Sequence, residues 1–257
     1  MPLSCQTDEK LKAYSVFIVF LVFSFAYWIL LQGLGWNVTL YKYDITCIYY
    51  PYYKILWESL RNFQFPGWTH GIYGGFPIFA GLEMGALYLP HLILFLLFPL
   101  IPALTVSIIL HFALLGFFTQ RFLRRIGVGE FSAFAGAFFY MLSGAVITHR
   151  IHLNIFFGLT WMPLGFYLLT RIEERSLFIL GFSALVALMF ASGHPQVLAF
   201  SLVAWSIYLL LTNWLKINFM KNLFFFEFSL CSRNFTGLAP GFFNLRTFPS
   251  LYPGASS

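Results

Sequence analysis

Charge is what this chain has least of. Only 9% of its 257 residues are Asp, Glu, Lys or Arg, where a water-soluble domain carries nearer ~25%. With 60% hydrophobic residues and a mean hydropathy of +0.79, too little polar surface exists to cover a globule in water. A cytosolic enzyme and a disordered chain are both excluded. Cysteine is scarce as well: Cys5, Cys47 and Cys231 lie far apart, which gives neither a disulfide framework nor a zinc spacing. The net charge of +6 and the pI near 9.3 form no basic stripe on any one element, so nucleic acid is excluded as a partner. Aspartate occurs only at Asp8 and Asp44.

What is present is a series of apolar runs separated by short charged breaks. A hydrocarbon core of ~30 Å needs about 20 helical residues, and residues 13–32, after Lys10 and Lys12, meet that need as an uncleaved first span. Residues 1–12 form the amino-terminal flank, and 33–100 a loop rich in Tyr and Trp. From Met84 to Gln120 no charge occurs, and Pro90, Pro99 and Pro102 interrupt the run. It is either two short spans, or a re-entrant or interfacial segment at 86–98 leading into one span at 101–119. The positive-inside rule decides for the second. Further spans fall at about 131–148, 153–170, 177–192 and 197–214, so that 101–214 holds five. The expected fold is an all-α, polytopic helical bundle of about six transmembrane helices. Nine Lys and Arg then flank the inner side and four the outer, Lys42, Lys54, Arg61 and Arg150, which places the N-terminus in the cytoplasm. The tail at 215–257 differs in kind: its last forty residues hold nine Phe but no Val or Ile. It reads as an irregular, truncated or frame-shifted end.

That orientation gathers Asp44, Glu58, His70, Glu83, His149, Arg150, His152, His194 and Gln196 on the outer face. Polar groups near lipid are costly and mark cavities or pathways. Asp44 admits two readings, a helix N-cap or a general base taking a proton from an attacking hydroxyl. In the turn His149-Arg150-Ile151-His152, the forked donors of Arg150 and the two imidazoles suit a phosphate, or equally lipid headgroups. A divalent metal at His149 and His152 lacks a third ligand near in sequence, and no other cofactor is expected. In Ser192-Gly-His-Pro-Gln196 the Gly and Pro make a turn, from which His194 and Gln196 can reach a cavity. His111, inside a span, reads as a core or interhelical hydrogen bonder. Ser143-Gly144 followed by His149 is a poor intramembrane serine protease, because Met141 stands where such enzymes carry glycine.

Several short motifs occur in order: Asp44 with Tyr49-Tyr-Pro51, Phe65-Pro-Gly-Trp68, Tyr73-Gly-Gly-Phe-Pro77, Tyr88-Leu-Pro90, His111, Arg124-Arg-Ile-Gly127, Phe139-Tyr-Met-Leu-Ser-Gly144, His152, Trp161-Met-Pro163 and Gly193-His-Pro-Gln196. Together, over about residues 40–212, they resemble YfhO-type bacterial membrane proteins of the GT-C glycosyltransferase group. The resemblance implies a cell-envelope transferase in the bacterial plasma membrane. It would move a sugar from a polyprenyl-phosphate donor to an acceptor at the outer face. An acidic residue of the first outer loop acts as base in that group, and Asp44 matches it. Such enzymes have more spans, so the chain would be an N-terminal fragment of one. The competing classes are a transporter or lipid-handling protein, which should show paired broken helices, and a non-catalytic membrane subunit.

Overall fold

The computed structural model describes residues 3–32, 44–83, 85–172, 174–175 and 177–214, with no side-chain detail for 3–10. The expected tail at 215–257 and the first part of the loop lie outside the described residues. All regular structure described is helical, and the nearest thing to a strand is one antiparallel bridge between Thr69 and Phe76.

Helix α1 spans Leu3–Gln32. After the undescribed segment, a π-helical turn at Ile45–Tyr49 runs straight into α2, Tyr50–Arg61, with Pro51 in its first turn, where a missing N–H costs nothing. Residues 62–88 are irregular, with φ of +75° at Gly74 and +144° at Gly75. Then come α3, Leu89–Leu97, and α4, Leu100–Arg125. Pro99 separates them: it supplies no N–H and holds Phe98 extended, at φ −126° and ψ 157°. The Phe98 carbonyl left over at this break accepts hydrogen bonds from Trp57 Nε1 at 3.1 Å and Arg61 Nη2 at 3.3 Å, which pins α2 to the junction.

The run expected as a span at 131–148 is two helices, α5 at Glu130–Met141 and α6 at Gly144–His149. The second begins at Ser143, whose hydroxyl accepts from the Val146 N–H and so caps it. That capping role is the structural use of the Ser143-Gly144 pair. Helix α7 is Leu153–Leu169 and α8 is Leu177–Ala191. Gly193, at φ +97°, makes the turn into α9, Pro195–Trp214.

Three helical stretches are long and apolar enough to cross a membrane: Leu11–Leu31 within α1, α4, and α9. Helices α7 and α8 are apolar but shorter. The chain forms two compact units, Met1–Ser201 and Leu202–Ser257. In the second, the described part is the helical stretch 202–214.

In the first unit α4 is the hub, packed by α1, α3, α5 and α7. Phe17 meets Phe117 and Tyr27 meets Phe112, so α1 and α4 run in opposite directions. Phe112 meets Phe156 and Phe122 meets Phe166, so α4 and α7 run the same way. Small residues let such helices approach where lipid offers no hydrophobic drive for association. A Cβ on Gly116 would lie 2.4 Å from Met141 Sδ and 2.5 Å from a Phe20 ring carbon. Gly116→Leu is therefore expected to separate α1 and α5 from α4. A loss of about 1–3 kcal/mol from overpacking would appear as a lower thermal unfolding midpoint in detergent.

Charge is sorted between the ends of α7. At its C-terminal end Arg125 of α4 bonds the Thr170 carbonyl and pairs with Glu174, which also accepts from Arg171 Nε at 2.8 Å. Burial works against ionisation of Glu174, but the hydrogen bond from Arg171 and the charge of Arg125 hold it below the ordinary carboxylate range. Arg121 and Arg171 both lie over the Tyr167 ring. The candidate site forms at the other end.

Candidate functional site

Asp44 stands at the N-cap position of the π-turn yet makes no side-chain cap hydrogen bond. Its Oδ2 instead lies 3.0 Å from Nε2 of His152, the residue that opens α7. The N-cap alternative for Asp44 is thereby removed. The carboxylate is reserved for a partner distant in sequence, and both side chains keep about a third of their surface open. A partly exposed carboxylate with one oxygen held by an imidazole is the result.

The imidazoles of His149 and His152 meet edge to face, with centroids 5.3 Å apart. Desolvation first, then the proximity of His152 and His194, lowers the pKa of His149. So the turn after α6 gives His152 to Asp44 and sets His149 against His152. Among the described residues no group of three His, Cys, Asp or Glu is arranged to hold a metal ion.

Glu83 enters from the irregular loop and is held by Asn154, in the first turn of α7. Asn154 Nδ2 donates to the Glu83 carbonyl at 2.7 Å and to its Oε2 at 3.3 Å, while Asn154 Oδ1 accepts from the Tyr53 hydroxyl at 2.9 Å. Both Tyr53 and Asn154 are fully buried. A Cβ on Gly193 would meet the Leu82 carbonyl at 2.7 Å and Asn154 Nδ2 at 3.0 Å, so only glycine lets the loop, α7 and the turn before α9 close on each other. Tyr49 is caught between the two acids: burial, then the charges of Glu83 and Asp44, push its hydroxyl pKa up. Tyr49 therefore stays a neutral hydrogen-bond donor beside them.

Arg150 has a partner on another helix. Its Nη1 donates to the Tyr27 hydroxyl of α1 at 2.9 Å. One of the Arg150 donors expected to meet a phosphate with the two histidines is thus engaged by α1. Three expected site residues are used elsewhere or left outside. Glu58 pairs with Lys54 at 3.8 Å on an exposed face of α2, His70 packs edge-on against Trp68, and Gln196 is exposed in the first turn of α9.

Below this layer lies a buried polar chain. Trp161 Nε1 donates to the Tyr88 hydroxyl at 2.7 Å, Tyr88 bonds His111 Nε2, and His111 Nδ1 lies 2.6 Å from the Ser107 carbonyl. A carbonyl only accepts, so His111 carries its proton on Nδ1 and Nε2 accepts from Tyr88. His111 is a buried core hydrogen bonder that ties α4 to Tyr88 just before α3. His91 is buried among Tyr53, Tyr88, Phe95 and Phe157 with neither ring nitrogen hydrogen-bonded. Asn154 and His91 were not singled out in the sequence, and Tyr88 entered only as part of a motif. The signal that marks them is a polar side chain directly beside a proline or helix start within an apolar run, as in Tyr88-Leu-Pro-His91 and His152-Leu-Asn154.

His149 gives a pH test. Its native pKa is lowered, so the unfolded chain takes up the proton first as pH falls below about 6.5, the ordinary imidazole value. The stability it contributes is complete above that pH and lost below it. The thermal midpoint of His149→Gln in detergent should fall less between pH 7.5 and 5.5 than that of the unsubstituted chain.

The fold and site together define a helical membrane protein with a carboxylate–histidine centre at one end of its helices. No protein-family model matches the chain, and no similar protein was found among the curated proteins or the solved structures.

Proposed function

We propose that the chain is a membrane glycosyltransferase of the GT-C type, or the N-terminal portion of one. Its reaction is transfer of a sugar from a polyprenyl-phosphate donor to an acceptor hydroxyl at the outer face of a bacterial plasma membrane. The observation that carries this reading is the Asp44–His152 pair. An acid in the loop after the first helix is held by an imidazole and is only partly exposed. The bundle crosses the membrane six times in this reading, with α5 and α6 together making one crossing and the N-terminus in the cytoplasm.

Asp44 is the general base. It accepts the proton of the acceptor hydroxyl as that oxygen attacks the anomeric carbon, and the bond to the donor phosphate oxygen breaks, leaving the polyprenyl phosphate. His152 orients the carboxylate. His149 and His194, which no ion pair occupies among the described residues, offer N–H donors to the leaving phosphate. Tyr49 and Glu83 hold hydroxyls of the sugar or acceptor.

The experiment is transfer of radiolabelled sugar from polyprenyl-phosphate donors by membranes carrying the chain. Asp44→Asn serves as the control. Transfer that survives this change intact refutes the assignment of Asp44, and a chain that binds no such donor refutes the class.

A further inference from the structure

We propose that α3 is a half-span whose exposed face is a contact surface for the acyl chains of one leaflet, the leaflet away from the arginines at the end of α4. The chain enters that leaflet after the irregular loop, reaches the bilayer midplane at Tyr88 and climbs back to the surface along α3. Of the two paths open to residues 86–98, re-entrant or interfacial, this is the re-entrant one. The inference stands apart from the transferase reading, because it uses neither Asp44 nor a sugar.

Depth is set by register against α4. That helix is long and apolar enough to cross a membrane. Its stretch 101–120 is free of charge and about 30 Å long, the thickness of a hydrocarbon core. His111 falls at the middle of that stretch. Tyr88, directly before α3, hydrogen-bonds His111, and His91 and His111 both pack on Phe157. The other end of α3 is joined to the start of α4 through Phe98 and Pro99. So α3 lies beside the N-terminal half of α4 and runs the opposite way. From Leu89 to Leu97 it rises about 13 Å, close to the half-thickness of about 15 Å.

The distribution of side chains names the occupant. Leu89, Ile93, Leu96 and Leu97 are exposed and fall within a stripe of about 100° on the helix. His91, the polar residue of α3, is buried on the opposite face with Leu94 and Phe95. A helix facing water turns its polar side outward, as α2 does with Lys54 and Glu58. At the depth of α3, acyl chains are the partner that accepts a stripe of leucine and isoleucine. Irregular backbone at that depth must be buried in protein, and the approach to α3 meets this demand. Gly85 is buried, and a Cβ there would lie 3.2 Å from the Ser192 carbonyl. Its N–H bonds the Leu82 carbonyl at 2.8 Å, and the Tyr88 N–H bonds the Gly85 carbonyl at 2.9 Å.

The test is spin-label depth in phosphatidylcholine–phosphatidylglycerol vesicles holding the full chain with Cys5→Ser, Cys47→Ser and Cys231→Ser. Leu89→Cys, Ile93→Cys and Leu97→Cys are labelled one at a time, with Glu58→Cys as the water-facing reference. Collision with oxygen, which concentrates in lipid, against collision with a water-soluble nickel chelate gives the depth of each label. The label at position 89 should read deepest and that at 97 shallowest, about 12 Å apart at 1.5 Å per residue. The label at position 58 should meet the chelate freely. Equal, shallow depths along α3 overturn the half-span and leave a helix lying flat at the surface. Free access of the chelate to all three positions overturns the lipid contact. Exclusion of both reagents overturns it too, by giving the face to protein, a second copy or another segment of chain. Photolabelling of the unsubstituted chain needs no variant. Phosphatidylcholine with a diazirine at the acyl methyl end should favour Leu89, and one with the diazirine near the glycerol should favour Leu97. The same pattern from both lipids overturns the gradient.

Discussion

Asp44→Asn should lower sugar transfer by about 10²–10⁴-fold, the usual contribution of a positioned general base, while leaving the chain folded. Asparagine keeps the size of aspartate and an oxygen that can accept from His152 Nε2, so the geometry of the 3.0 Å contact survives. What is lost is the capacity to take up a proton. A purely structural role predicts the reverse pattern. The pair is about one third exposed on each side, and ion pairs of that kind are worth only about 0–1 kcal/mol after solvent screening. If Asp44 served stability alone, activity would fall little and the thermal midpoint slightly. Initial rates together with thermal unfolding of the same membrane preparation separate the two. A second comparison sharpens this: His152→Gln keeps Asp44 as base but loosens its hold, so it should lower the rate less than Asp44→Asn.

Asn154→Leu is expected to cost about 2–5 kcal/mol of stability, the largest structural effect in the site. Leucine copies the branching of asparagine at Cγ, is larger, and returns none of its hydrogen bonds. The Tyr53 hydroxyl, fully buried, loses its acceptor, and a buried unsatisfied donor costs about 1–3 kcal/mol by itself. The Glu83 carbonyl loses its 2.7 Å donor at the point where the loop crosses Gly193. The loop carrying Glu83 should then detach, raising its protease sensitivity and lowering the unfolding midpoint together. Glu58→Gln is the matched control. Its partner Lys54 lies at 3.8 Å with both side chains more than half exposed, so stability should change within about 0.5 kcal/mol. An equal loss in both variants would contradict the role given to Asn154.

Much of the fold was legible in one dimension because the solvent writes it there. Lipid requires uninterrupted apolar helix, so α1, α4 and α9 can be read from composition. Pro99 marks the break before α4 by backbone sterics alone. The internal break of α5 from α6 was missed, because Ser143-Gly144 within an apolar run looks like a tolerated pair of small residues. Only the capping geometry reveals a new helix start.

The candidate site was legible as a set of residue types but not as an arrangement. Scarcity of charge made Asp44, Glu83 and the histidines stand out, since each has a desolvation cost to justify near lipid. Which of them meet is a different matter. Asp44 reaches His152, Glu83 is fixed through Asn154, and Arg150 leaves its neighbours for Tyr27 on α1. Glu58, His70 and Gln196 share the composition of the others and none of their company.

The sequence by itself determined that this is a helical membrane protein with its few charges sorted into clusters, because hydropathy and the spacing of charge are local properties. The tertiary structure decided that Asp44 pairs with His152 instead of capping, that Arg150 bonds Tyr27 of α1, and that Asn154 joins Tyr53 to Glu83. Those outcomes depend on directions taken by side chains from helices far apart in the chain. Only the packing of α1, α4 and α7 against one another sets them.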